Sequence, residues 1–218
     1  MKGAYILIGG TIHEGHDLEK LKDLIDCVSL SATWGDSPIN GEDMIYPSSI
    51  IEMVDKDGYL FLCDDEDTGD VLNLSDGLQN LNIPFVTHEM DGPFSIFIPD
   101  IYGKKPIEVY ADEEKKIYIP EKEIKKIIRR YRAKKKEDRG NVLIDLQNLL
   151  VDWKKLPGFE LVELETNMDV HVIGGIDPDY MVDFQGRIES IEHEDGYAII
   201  IDQDDDTHDV NLGAIKQL

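Results

Sequence analysis

Four consecutive acids, Asp64-Asp65-Glu66-Asp67, follow directly on an apolar run, Tyr59-Leu60-Phe61-Leu62-Cys63. Carboxylate oxygens at the carboxyl end of a buried strand are the ligand type and the place that Mg²⁺ or Mn²⁺ requires. Such an ion would support phosphoryl transfer or hydrolysis. Asp64, Asp65 and Asp67 are therefore the candidate metal ligands, with Mg or Mn as the cofactor of that reading. The pattern is incomplete. In Asp65-Glu66-Asp67-Thr68-Gly69 the glycine falls one residue earlier than in a DxDxxG metal loop, and Gly9-Gly10 stands where a partner glutamate after the first strand is needed. A solvated acidic turn accounts for the same residues.

Asp202-Gln203-Asp204-Asp205-Asp206 begins like a calcium loop but carries Thr207 where the sharp turn needs glycine and Gly213 where a bidentate glutamate belongs. It reads as the charged tip of a hairpin between Ile201 and Val210. His13-Glu14-Gly15-His16-Asp17 groups possible transition-metal ligands, yet the two histidines are not one helical turn apart and no third ligand is evident, so a loop before the first helix is the simpler reading. Gly9-Gly10-Thr11 offers backbone amides to a phosphate, but both full phosphate-loop patterns are missing and a strand-end turn suffices. No nucleophile signature such as GxSxG accompanies any histidine.

The cationic feature is the segment Lys122 to Arg139. It holds ten of the 22 basic residues beside three acids, a local charge of +7 in a remainder of −31. Ile124, Ile127, Ile128 and Tyr131 form an apolar stripe at helical spacing, which predicts a helix docked on its own domain with its cations outward. Lys125, Lys126, Arg129, Arg130 and Arg132 are the candidate phosphate- or partner-binding residues. Three roles compete for them: partial neutralisation of the protein itself, a homo-oligomer contact with the acidic face of a second copy, or a phosphate strip.

These residues must be positioned by elements that the hydropathy pattern marks. Ala4 to Ile8 reads as a strand stopped by Gly9-Gly10. Leu18, Leu21, Leu24, Ile25 and Val28 then recur at helical spacing, with Asp17 at the N-cap. A loop from Trp34 to Asp43 precedes a second helix around Ser48 to Val54. Tyr59 to Cys63, apolar throughout, predicts a strand central in its sheet. A helix over Val71 to Leu81 and a strand over Ile83 to Val86 follow. Two-residue alternation between Phe94 and Ile119 predicts three strands, the last two a hairpin. Helices are expected from Pro120 to Asp138 and from Val142 to Trp153, and Leu156-Pro157-Gly158 marks a boundary. Beyond it everything reads as strand: Glu160 to Leu164, Val170 to Ile173, Met181 to Ile191, Tyr197 to Ile201 and Val210 to Leu212. The expected fold class is α+β. A 1–155 α/β domain, alternating and with a mixed sheet, carries the basic helix and an amphipathic helix. A 156–218 domain forms a small all-β SH3-like or OB-like barrel, its last strand entered through a single turn.

Composition narrows the function classes. The chain has 218 residues, 46 acidic and 22 basic, for a net charge of −24, and 41% of it is hydrophobic, enough to fill a core. A field of that sign repels nucleic-acid phosphates and anionic lipids, which excludes direct DNA binding through the main acidic surface and binding to such a membrane. No apolar stretch approaches the roughly 20 residues that span a bilayer, and the N-terminus runs straight into a strand-like segment, so the expected compartment is the cytoplasm. Cys27 and Cys63 lack metal or redox spacing and are expected in the core. The leading expectation is a non-catalytic acidic interaction protein that engages a basic, nucleic-acid-binding protein partner, in one version as a DNA mimic or inhibitor, without a cofactor. The alternative is the Mg- or Mn-dependent enzyme built on Asp64, Asp65 and Asp67.

Overall fold

A computed structural model describes residues 3–39, 47–65, 69–89, 93–99, 106–111, 117–118, 121–133, 156–177, 180–193 and 196–218. Its strands are β1 (Ala4–Ile8), β2 (Gly10–His13), β3 (Leu60–Asp64), β4 (Phe85–Glu89), β5 (Phe94–Phe97), β6 (Ile107–Ala111), β7 (Ile117–Tyr118), β8 (Phe159–Val162), β9 (Asp169–Asp177), β10 (Tyr180–Glu192), β11 (Tyr197–Asp202), β12 (Thr207–Asn211) and β13 (Ile215–Gln217). Its helices are α1 (His16–Asp26), α2 (Pro47–Glu52), α3 (Gly69–Asn80) and α4 (Glu121–Ala133). The fold is mixed α+β, with few helices and two antiparallel sheets. The helix expected over 142–153 and the C-terminal part of the basic helix lie outside the described residues. The chain divides into two compact units: Met1–Gly10 with Val28–Pro38 and Phe61–Pro157, and Thr11–Cys27 with Ile39–Leu60 and Gly158–Leu218.

The first unit is built on a sheet of order β3-β1-β4-β5-β6-β7. Ile6, Ile8, Phe85 and Phe97 share one face of it and Leu7, Val86, Ile96 and Val109 the other, all of them buried. Sheets buried on both faces need such near-continuous apolar strands. Helix α3 lies against β1 and β4 and buries Val71, Leu74 and Leu78, the face that the periodicity picks out. Two expectations are corrected. From β1 through β7 the pairings are antiparallel, so the sheet is not the mixed one an alternating pattern suggests. Strand β3 stands at the edge rather than at the centre. An apolar strand is tolerated there because an antiparallel bridge caps it, Ser31 and Cys63 exchanging N–H···O bonds of 2.8 Å in both directions. The hairpin of β6 and β7 pairs Tyr110 with Tyr118.

The second unit holds a five-stranded antiparallel sheet of order β12-β11-β10-β9-β13, with β12 and β13 at its two edges. Leu164, Val170, Val172, Ile188, Ala198, Ile200, Val210 and Ile215 make its core. Strand β8 does not join that sheet and pairs instead with β2. A single 3-10 turn, Leu212–Ala214, leads into β13, as the pattern at the end of the chain suggests. Helix α1 lies against this turn and β13, with Leu18, Leu21 and Ile25 buried. It starts at His16, so Asp17 lies inside the first turn and the N-cap is Gly15. Gly15 has φ of 95°, and a β-carbon there would run into the carbonyl oxygen of Ile215, so both backbone shape and space require glycine. Cys27, expected in the core, is exposed as the C-cap of this helix, whereas Cys63 is buried.

Two turns of the second unit use one device. Asp55 Oδ1 accepts the amides of Asp57 and Tyr59, each at 2.9 Å, and Asp202 Oδ1 accepts those of Asp204 and Asp206 at 2.9 and 3.0 Å. In both, the fourth residue takes positive φ, 85° at Gly58 and 62° at Asp205. Aspartate stabilises such turns by binding its own backbone a few residues on. The expected hairpin tip between Ile201 and Val210 is therefore present, with a defined hydrogen-bond basis.

Glu14 anchors the N-terminal segment of this unit. Its backbone N–H donates to Val162 O at 2.8 Å, and its carboxylate, only 3% exposed, accepts the buried amide of Leu164 at 2.7 Å. Glu14→Ala leaves that amide without an acceptor and is expected to destabilise the unit by about 2–3 kcal/mol, while Glu14→Gln loses less. Urea unfolding of the three proteins checks this, and equal midpoints for wild type and the alanine variant would refute it.

Candidate functional site

At the carboxyl end of β3, Asp64 is half-buried and Asp65 exposed, while Glu66 and Asp67 lie outside the described residues. Asp65 Oδ2 accepts the backbone N–H of Gly35 at 2.6 Å. The acidic turn thereby holds the loop that carries Trp34. Other bonds fix the same loop: the Ser31–Cys63 bridge, Ser31 Oγ donating to Asp36 O at 2.9 Å, and the Asp36 amide donating to Thr33 O at 3.2 Å. Gly3 lies beneath the indole, where a β-carbon would come within 2.9 Å of its ring.

The Trp34 indole meets Tyr5 edge-on at 6.5 Å and Phe61 at 6.1 Å, and Tyr5 and Phe61 lie 5.7 Å apart. Sheet register extends the group, since Tyr5 is opposite His88 and His88 opposite Phe94, with the last two rings stacked at 4.0 Å. Edge-to-face and offset packing of this kind suits the ring quadrupoles. Burial pushes the Tyr5 hydroxyl up to about 12 and holds the His88 imidazole below its ordinary value against the pull of Glu89. Trp34 itself remains 41% exposed. Next to it the Cys63 thiol is pushed up to about 11, first by burial and then by the charges of Asp65, Asp64 and Asp36, which together make this end of the strand electronegative. Sequence reasoning identified Asp64 and Asp65 but missed Trp34, Tyr5 and Phe61. The available signal was a tryptophan in a loop of Gly, Pro and Asp, where an apolar residue has no core to enter.

The cationic candidates share α4. Lys125, Lys126, Arg129, Arg130 and Arg132 are all exposed, and Lys125 Nζ pairs with Glu121 Oε1 at 2.6 Å. Of the expected docking stripe only Ile127 is buried, while Ile124, Ile128 and Tyr131 are 40%, 43% and 37% exposed. Three of the four residues of the expected docking stripe are thus exposed.

The histidine cluster at the start of α1 serves the fold. His13 Nδ1 lies 2.8 Å from Gln217 Oε1 and His16 Nδ1 3.3 Å from Gly213 O. Nδ1 of His193 is 3.0 Å from Glu14 Oε1 but off the direction a hydrogen bond needs. The amides of Gly9 and Gly10 donate to Pro84 O and Pro157 O, as a strand-end turn would have it. In the second unit His171 pairs with Asp183, and His208 Nε2 lies 2.8 Å from Asp202 Oδ2 with its ring against Phe184 at 4.6 Å. Beside them an open cleft of about 560 Å³ is lined by Asp169, Gln185, Arg187, Asp202 and Asp205. Among the described residues no three His, Cys, Asp or Glu side chains converge as a metal site would require. No helix among them is long and apolar enough to cross a membrane.

No protein-family model matches the chain, and neither a curated protein nor a solved structure matches it.

Two outcomes follow from this geometry. Asp65→Ala releases the Gly35 amide and should cost about 0.5–1.5 kcal/mol. It should also shift the emission of Trp34, read with Trp153 replaced by Phe because the chain has two tryptophans. The His208 hydrogen bond, followed by the Asp204 and Asp206 amides and the His208 charge, holds Asp202 below its ordinary 3.8, with burial opposing. A depressed folded-state value stabilises above pH 3.8 and is lost as the pH falls through that lower value. Asp202→Asn should therefore flatten the acid limb of stability against pH, and an unchanged limb would refute the linkage.

Proposed function

We propose that this chain is a non-catalytic interaction protein whose acidic surface engages a basic protein partner in the cytoplasm, with a nucleic-acid-binding protein as the favoured class. The observation that carries this reading is the charge of −24 on a chain that folds around two cores. A field of that strength accelerates encounter with a cationic partner and disfavours anionic ones. The use of Asp55, Asp65 and Asp202 as acceptors for loop amides supports it, because carboxylates so held are fixed charges rather than mobile ones. A DNA mimic or inhibitor is the most specific version. The exposed cations of α4 then serve self-neutralisation or contact with an acidic surface of a second copy. In the second unit, the 3-10 turn before the last strand supports reading the five-stranded sheet as a small SH3-like or OB-like barrel.

The test is binding to an arginine-rich DNA-binding protein, measured from about 50 to about 200 mM NaCl, the range over which phosphate contacts of DNA weaken steeply. Affinity should fall steeply with salt, and duplex DNA should compete. Salt-insensitive binding, or simultaneous occupancy with DNA, would overturn the mimic. Saturable stabilisation by Mg²⁺ or Mn²⁺ beyond an equal ionic-strength control, lost in Asp65→Asn, would replace this reading with the metal-dependent one.

A further inference from the structure

We infer that Trp34, with Tyr5 and Phe61 behind it and the exposed acids Asp36 and Asp65 in and against its loop, is the seat for an arginine side chain of the basic partner. The inference deepens the preceding reading and rests on it. A large apolar ring held in solvent is an unfavourable arrangement, and here it is not a matter of slack. Ser31, Gly35 and Asp36 are hydrogen-bonded, in part to residues at the end of β3, and Gly3 leaves room for the ring. The indole is thus pre-positioned with 41% of its surface open, which lowers the ordering cost of any ligand that covers it.

Charge selects the ligand. Asp36 and Asp65 are exposed within one or two positions of the loop tip or bonded to it, and the backbone of Asp64 lies under Gly3. An indole attracts cations through its quadrupole, most strongly among the aromatic side chains, and the carboxylates add to that attraction. Arginine fits better than lysine. Its planar guanidinium stacks on an aromatic face and can place its edge N–H groups on neighbouring carboxylates at the same time, whereas an ammonium is a strongly hydrated point charge. Tyr5 and Phe61 hold the indole from behind, and His88 with Phe94 continue the aromatic row across the sheet.

The experiment uses the full chain and three synthetic peptides of one length: an arginine–glycine repeat, its lysine counterpart and its citrulline counterpart, which keeps the shape of arginine without the charge. Binding is measured by calorimetry at about 150 mM salt, where long-range attraction is screened beyond about 8 Å. The Trp34 indole N–H resonance is followed by NMR against that of Trp153. The arginine peptide should bind and move the Trp34 signal, lysine should bind more weakly, and citrulline should not bind. Trp34→Ala should weaken arginine binding roughly 5- to 30-fold. Trp34→Phe, which keeps an aromatic ring in the loop, should fall between.

Arginine binding of equal affinity in both variants, with the Trp34 signal unmoved, would overturn the site and leave the acidic-surface reading standing. Equal binding of citrulline would overturn the cationic basis of the site. Failure of the arginine peptide to bind even at low salt would overturn the site and the wider reading together. Because the resonance is read on the wild-type protein, loss of folding in a variant cannot decide the question.

Discussion

The second unit depends on one buried carboxylate. Residues 11–27 enter it from one end of the chain and residues 158–218 from the other, and Glu14 joins them through its own amide and through the amide of Leu164. A carboxylate with so little exposure needs a donor, and here the Leu164 amide supplies one while His193 Nδ1 lies 3.0 Å from the other oxygen, which ties its position to one register of β8 against β2. Around this join other contacts link the same segments. His13 meets Gln217, His16 meets Gly213, and α1 sets its apolar face on the turn before β13. An apolar residue at position 14 would fill the space without specifying the pairing.

Carboxylates do two kinds of structural work here. Glu14 is an internal fastener, whereas Asp55, Asp65 and Asp202 gather loop amides at the surface. The second use mitigates a problem that the composition creates. A charge of −24 repels itself and disfavours the compact state, and at Asp202 the amides and His208 hold the carboxyl below its ordinary value, in its charged form. The acidic turns are therefore compatible with folding even though they raise the field outside. At Asp65 this use coincides with the presentation of Trp34, because the amide it accepts belongs to Gly35, the residue after the indole.

Local periodicity carried much of the fold. The buried stripe of α3, the strands β1 and β11 and the hairpin at Asp202 all follow from spacing and turn chemistry, because each is decided within a dozen residues. What spacing could not reveal were partners far along the chain. Strand β8 looks like any short strand, and only the structure shows that it pairs with β2. An edge position for β3 was hidden because the bridge from Ser31 covers what would otherwise be an exposed rim. The apolar stripe of α4 was legible, but whether anything covers Ile124 and Ile128 is a property of neighbours and not of the helix. At the candidate site the acids were visible from their run, while the rings of Tyr5, Trp34 and Phe61 meet only through the sheet and a loop.

The pairing of Glu14 with Leu164 spans 150 residues, and this has a bearing on how the protein is made. At synthesis rates of about 5–20 residues per second, that span corresponds to a delay of roughly 8–30 s between the emergence of the two partners from the ribosome. During that interval Leu18, Leu21 and Ile25 have no β13 to lie against. Helix α1 is thus an apolar stripe in waiting during synthesis, and the second unit is completed only once β13 has followed it from the ribosome.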